Sequence, residues 1–175
     1  GRLDYDTEGA ILLTNDGDLA FNLTHPSKKV PKRYMAKVYR TPSPKTIQMI
    51  KDGKVYLDDG PLFGAKLRVT ETTDKTNAWV EITVTEGRNR LIRRLFQQVN
   101  HPVSKLRRES FATISLRGME RGSVRALTSE EVRRLQDIAE GKSPKSAGRL
   151  KRKAGFAAPK KKAKRIGGKK RTRRS

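Results

Sequence analysis

Residues 78–99 read "AWVEITVTEGRNRLIRRLFQQV", and the hydrophobic period changes in the middle of them. From Ala78 to Thr85, Val80, Ile82 and Val84 alternate with Trp79, Glu81 and Thr83, the period-two pattern of a strand with one buried face. Beyond Glu86-Gly87 the period is helical. Leu91, Ile92, Leu95, Phe96 and Val99 share one face, while Arg90, Arg93, Arg94 and Gln97 lie elsewhere. Upstream, Ala65–Glu71, Lys54–Leu57 and Tyr34–Tyr39 read as further strands. "SPKTIQMIKDG" reads as a helix capped by Ser43, with Pro44 at its first position and Gly53 past its end. Near the start, Ala10–Thr14 (AILLT) predicts a buried strand, followed by turn residues Asn15-Asp16-Gly17 and a short helix that ends before Pro26. Downstream, one strand is predicted over Lys105–Leu116. A last helix, "TSEEVRRLQDIA", carries a capping box from Thr128 to Glu131. Strands dominate without regular alternation with helices. The expected class is therefore α+β, a mostly antiparallel sheet with flanking helices.

Charge divides the chain. Residues 142–175 hold 16 Lys/Arg and no Asp or Glu, while residues 1–141 hold 25 basic and 18 acidic residues, a net of +7 out of +23. Hydrophobic content is 34%, and the deficit lies in that basic stretch. The expected division is a folded domain over 1–140 and a disordered basic tail over 141–175. Such a chain attracts polyanions, because each neutralised phosphate releases counterions. The tail has no amphipathic apolar face to suit a membrane surface, and no segment has the length of a membrane span. There are no cysteines, so disulfides and thiolate metal sites are excluded. No signal peptide is visible, although the chain begins with Gly1.

Three segments carry candidate chemistry. "GRLDYDTEG" spaces Asp4, Asp6 and Glu8 two apart before Gly9, as a calcium loop begins. The twelfth position of such a loop would be Asn15 rather than a bidentate Glu, and no helix-length segment precedes it. The alternatives are carboxylates that satisfy turn amides, or one ionised acid held within a positive surface. Such an acid repels bound phosphate, and that makes it a candidate for chemistry. In "EGRNRLIRRLF", Arg88, Asn89, Arg90 and Arg94 are candidate phosphate contacts, and Arg93, on the flank of the apolar face, could reach a carboxylate. The bland alternative is a solvated basic face. In "KRYMAKVY", Tyr34 beside Lys32 and Arg33 suits base stacking along a phosphate track, or equally a core tyrosine. Both histidines precede prolines, and no nucleophile elbow or phosphate-binding glycine loop is present. A glycosidase-like pair of Asp4 with Glu86 stays open, with phosphate-friendly surroundings favouring a nucleoside over a neutral glycan.

Together and in this order, "GRLDYDTEGAILLTNDGD", "KRYMAKV" and "EGRNRLIRRLF" resemble the RNA pseudouridine synthases of the RsuA/RluB type, over about residues 1–140. The resemblance implies the catalytic domain of an enzyme that isomerises uridine in ribosomal RNA, most often of the large subunit, without metal or organic cofactor. It implies Asp4 as the essential carboxylate, Arg93 as its charge partner and Tyr34 as the tyrosine packed on the flipped base. It leaves Asp6 and Glu8 as turn and surface groups and Ile11–Leu13 as anchors of the loop to the sheet. The RNA-binding set is Arg2, Lys32, Arg33, Arg88, Asn89, Arg90 and Arg94. Leu91 stands where the family usually has a polar residue, and Ala10 where a larger aliphatic is common. Such proteins carry an N-terminal RNA-binding domain and an initial catalytic part before the first motif. The chain is therefore expected to be a piece of a longer protein, not active alone. A monomer bound to ribosomal RNA or a pre-ribosomal particle, in the cytoplasm, is expected. The competing reading is a non-catalytic RNA-binding or ribosome-assembly protein with the same fold.

Overall fold

The structure, a computed structural model, describes residues 1–73 and 76–142. The expected disordered tail lies almost wholly outside the described residues. In chain order the elements are β1 (Thr7–Gly9), α1 (Gly17–Thr24), a 3-10 turn (Pro26–Lys28), β2 (Lys32–Tyr39), α2 (Pro44–Lys51), the short pair β3 (Tyr56–Leu57) and β4 (Gly60–Pro61), β5 (Lys66–Thr73), β6 (Asn77–Val84), α3 (Leu91–Gln98), β7 (Val103–Phe111), β8 (Ile114–Ser115) and α4 (Ser129–Ala139).

The main sheet runs β1-β7-β2-β6-β5, with β8 also on β7. Only β1 with β7 is parallel; the other pairings are antiparallel, as the strand-rich pattern predicts. The alternation in β6 is realised in full. Ala78, Val80, Ile82 and Val84 are buried, and the residues between them are half-buried. With Ala36, Val38 and Leu106 they form the floor on which Leu91, Ile92, Leu95 and Phe96 of α3 and Ile50 of α2 pack. Each such side chain contributes about 1.5–3 kcal/mol by leaving water. A second cluster joins Leu23, Val30, Phe111, Ile114, Leu135 and Ala139. The predicted caps are present. Ser43 accepts from the Thr46 amide, and Thr128 and Glu131 exchange hydrogen bonds at the start of α4.

Three expectations are corrected. Ala10–Thr14 is not a buried strand. β1 ends at Gly9, and only Ala10 follows the ladder, its amide donating to the Arg108 carbonyl at 2.9 Å. One edge of β7 is taken by β2. Its other edge is shared between β1, at Leu106–Arg108, and β8, at Ser110 and Phe111. Among the described residues no edge of β7 is left for residues 11–14 to continue the β1 ladder. Leu13 is 82% exposed and Ile11 47%, so of the three expected anchors Leu12 alone, packed on the second cluster, holds the loop. Lys105–Leu116 is a hairpin rather than one strand, because Ala112 adopts a left-handed conformation (φ 52) and folds β8 back onto β7. Lys54–Leu57 shrinks to the two residues of β3. Gly9 is required where it stands, because a side chain there would collide with the backbone of Arg108.

Candidate active site

A cavity of about 340 Å³ opens where the N-terminal loop, the ends of β2 and β7 and the approach to α3 converge. The alternation of β2 sends Lys32 and Tyr34 into it and Arg33 to the opposite face. From β7 come Leu106, Arg108 and Phe111, and from the loop before α3 come Glu86 to Arg90. The turn into α3 is tight. Arg90, just before the helix, has φ 43, a left-handed conformation that costs a non-glycine residue about 1–2 kcal/mol. It brings the Arg88–Arg90 segment to the cavity wall. No side chain caps the helix, which starts at Leu91, later than the basic segment implies.

Asp4 lines this cavity, as does Tyr34. Its backbone carbonyl accepts from the Thr7 amide at 2.9 Å, which closes the turn that presents the side chain. Among the described residues no hydrogen-bond donor or ion-pair partner engages the half-buried Asp4 carboxylate. Tyr34 is half-buried. It packs on the main core and also lines the cavity, so the core and site readings of this residue are both realised.

The expected pairing of Arg93 with Asp4 is not formed. The Arg93 guanidinium is 13% exposed and reaches Asp6 instead, at 3.0 Å to its carboxylate and 2.9 Å to its carbonyl, and donates to the Val103 carbonyl at 3.1 Å. Arg90 adds a contact to Asp6 at 3.5 Å. The geometry explains the exchange: Asp4 and Asp6 flank the turn closed by Thr7, and α3 lies on the Asp6 side. Arg93 therefore fastens the N-terminal loop to α3 and the start of β7, and Asp6 is more than a turn group. Glu8 does stay at the surface, paired with Arg121 at 2.8 Å.

The predicted phosphate contacts divide likewise. Arg88 donates to the Asp59 carboxylate and to the carbonyls of Asp59, Gly60 and Pro61, and pairs with Glu86 at 2.7 Å. Arg94 binds the other Asp59 oxygen at 2.6 Å and the Asn89 carbonyl. These two arginines hold the β3–β4 hairpin against α3 and are not free for phosphate. Hydrogen bonding by Arg94, followed by the charges of Arg88 and Arg94, keeps the Asp59 carboxyl below its ordinary value. Arg2, Lys32, Asn89 and Arg90 do line the cavity.

Sequence reasoning missed Arg108, Phe111 and Thr7. Arg108 is 3% exposed and donates to the Ala10 carbonyl at 2.7 Å, with a longer contact to that of Arg2. Lys32 and Arg108 both lie over the Phe111 ring, at 5.5 and 5.3 Å. Burial first, then the Arg108 charge, lowers the Lys32 pKa. The signal was available, because the predicted alternation of β7 puts Arg108 on the same face as Leu106. The buried Thr7 hydroxyl has no partner among the described residues, and Thr7 is one of the residues lining the cavity. A charged group buried without an acid is costly. Arg108 and Lys32 therefore form a fixed positive wall beside a bare carboxylate, an arrangement suited to holding an anionic ligand while presenting Asp4 to its neutral part.

A family model described as RNA pseudouridylate synthase matches residues 1–98. The chain belongs to this family. It is 41% identical over 141 residues to ribosomal large subunit pseudouridine synthase B of Bacillus subtilis strain 168, covering 80% of this chain and 57% of that protein. It is 39% identical over 147 residues to ribosomal large subunit pseudouridine synthase E of Xanthomonas campestris, covering 76% of this chain and 78% of that one. A crystal structure of a pseudouridylate synthase superposes with a TM-score of 0.67 at 29% identity, over 77% of this chain and 57% of the other. The chain thus spans little more than half the length of several relatives it matches. The family assignment agrees with the α+β sheet and with the order of the three motifs around the cavity.

Proposed function

We propose that the chain is the catalytic part of a pseudouridine synthase acting on ribosomal RNA of the large subunit, as a monomer on that RNA or on a pre-ribosomal particle in the cytoplasm. The reaction breaks the N1–C1′ bond of a uridine and forms a C5–C1′ bond. N1 gains a proton and C5 loses one, so the process is an isomerisation that requires no redox partner. A uridine stacked in a helix is inaccessible, so it is flipped into the cavity at a cost of about a few kcal/mol. Lys32, Arg108 and Arg2 offset that cost through the phosphates on either side. Asp4 acts on the ribose or the uracil ring as the one carboxylate of the N-terminal loop left without a partner, and Tyr34 packs on the base and assists loss of the C5 proton. Arg93 contributes indirectly, by holding through Asp6 the turn that presents Asp4.

The observation that carries this reading is a half-buried carboxylate with no partner among the described residues, lining one cavity together with cations and a tyrosine. Its test is Asp4→Asn introduced into the natural gene, with pseudouridine mapped in the cellular ribosomal RNA. One site is expected to revert to uridine, while affinity of the purified variant for the RNA stays within about twofold. Unchanged modification at every site would leave only the RNA-binding reading.

A further inference from the structure

The face of the sheet opposite Asp4 carries a second arrangement of groups that the catalytic reading does not use. The pairing register sets Lys66, Thr83, Arg33, Ser110 and Ser115 side by side across five successive strands, β5, β6, β2, β7 and β8. Directly paired residues project to the same face. A separate cavity of about 330 Å³ lies here, walled by Arg33 and by four hydroxyl residues, Thr83, Ser110, Thr113 and Ser115. Among the described residues no carboxylate lines it. The left-handed Ala112 brings Thr113 into the wall, and the Ala112 amide closes the rim by donating to the Pro31 carbonyl at 2.8 Å.

Arg33 differs from the other arginines that flank the active site. Arg88, Arg93 and Arg94 are each engaged by acids and carbonyls, whereas no acceptor engages the Arg33 guanidinium among the described residues. Its Nε–H is buried without a hydrogen-bond partner, as are those of Arg88 and Arg93, but unlike theirs its terminal nitrogens are also unengaged among the described residues. A buried donor on a cation, ringed by hydroxyls and without an acid, fits a tetrahedral oxyanion: the guanidinium fork takes two oxygens and the hydroxyls the rest.

We propose that this second cavity binds a backbone phosphodiester of the RNA, distant in sequence from the uridine held at Asp4, so that the substrate strand or a neighbouring stem crosses the Pro31 end of β2 and is gripped on both faces of the sheet. The inference rests on the RNA reading above but fails separately from it.

The test uses the whole chain, a labelled large-subunit ribosomal RNA transcript and inorganic phosphate as a small-anion control. Affinity is measured against salt concentration, and the Arg33 Nε–H resonance is followed by NMR. Arg33→Ala is expected to weaken RNA binding about three- to tenfold and to lower the salt slope by about one unit, the signature of one lost phosphate contact. Arg33→Lys is expected to keep the slope and lose part of the affinity. Asp4→Asn abolishes product without lowering either quantity, so failure of the catalytic reading shows in product and failure of this one in a slope that Arg33→Ala leaves unchanged. Should Arg33→Ala not fold, Thr83→Val combined with Ser115→Ala gives the same reading through loss of the hydroxyls, as a fall in affinity. Unchanged affinity and slope in a folded variant overturn the proposal. So does an Arg33 resonance that responds to inorganic phosphate but not to RNA, which would assign a small-anion site.

Discussion

Asp4 and Asp6 stand two residues apart in one loop and are put to opposite uses. Asp6 is 44% exposed, yet two arginines bind it, and Arg93 takes both its carboxylate and its carbonyl. Asp4 is the less exposed of the two, lies in a cavity ringed by cations and has no partner among the described residues. Exposure alone predicts the reverse. The difference lies in direction: the turn closed at Thr7 points one acid at α3 and the other at empty space. A bound acid holds the loop still, and a bare acid is left for a ligand.

The comparison can be broken or sharpened at several points. The largest effect outside Asp4 is expected at Tyr34, which lines the same cavity. Tyr34→Ala should lower kcat/KM by about a hundredfold through lost base packing and proton transfer, with Tyr34→Phe retaining the packing share. A smaller loss comes from the fastening side. Arg93→Met should cost about 1–3 kcal/mol of stability, because it leaves the carbonyls of Asp6 and Val103 without a donor. Asp6→Asn should cost less than about 1 kcal/mol, since the acid is exposed and screened. A double-mutant cycle between them measured by denaturant unfolding reads their coupling, and a value near zero would show that the loop is held by something else.

Asp59 gives a further check, because it occupies two arginines that the sequence suggests are phosphate contacts. Asp59→Asn should raise RNA affinity at most a few-fold at low salt by removing an acid and releasing Arg94, while Arg88 stays held by Glu86 and backbone carbonyls, with the gain disappearing as salt rises. Glu131 is the smallest case. Hydrogen bonding from Arg125, then from the Thr128 backbone, brings it to about 2 from an ordinary 4.5. Its folded pKa is depressed, so its contribution is complete above pH 4.5 and is lost as pH falls through about 2. Glu131→Gln should lower Tm by only a degree or two at pH 7, since the group is solvent-screened, and by less as pH falls from 4.5 towards about 2.

Much of this was legible in the sequence. The period switch at Glu86-Gly87 gave β6 and α3, and the Ser43 and Thr128 caps gave the starts of α2 and α4, because these signals depend only on neighbouring residues. What was not legible depends on partners distant in the chain. "AILLT" has the composition of a strand, yet β8 occupies the edge it would need, and the turn that creates β8 sits at an alanine, with no glycine, proline or asparagine to mark it. The basic helix segment announces attraction to phosphate, yet Arg88 and Arg94 are claimed by an aspartate some thirty residues earlier. Arg33 and Lys32 look equivalent as neighbours, but the two-residue period of a strand puts them on opposite faces. Asp4 was singled out by motif and company, but Arg93, expected as its partner, binds Asp6, two residues further along the loop.

The most direct measurement sets the two loop acids side by side: Asp4→Asn and Asp6→Asn are each placed in the natural gene, and pseudouridine is quantified in the large-subunit RNA of growing cells. The account predicts no product at the target uridine for Asp4→Asn, and product retained, formed more slowly, for Asp6→Asn. Full modification with Asp4→Asn, or complete loss confined to Asp6→Asn, would contradict it.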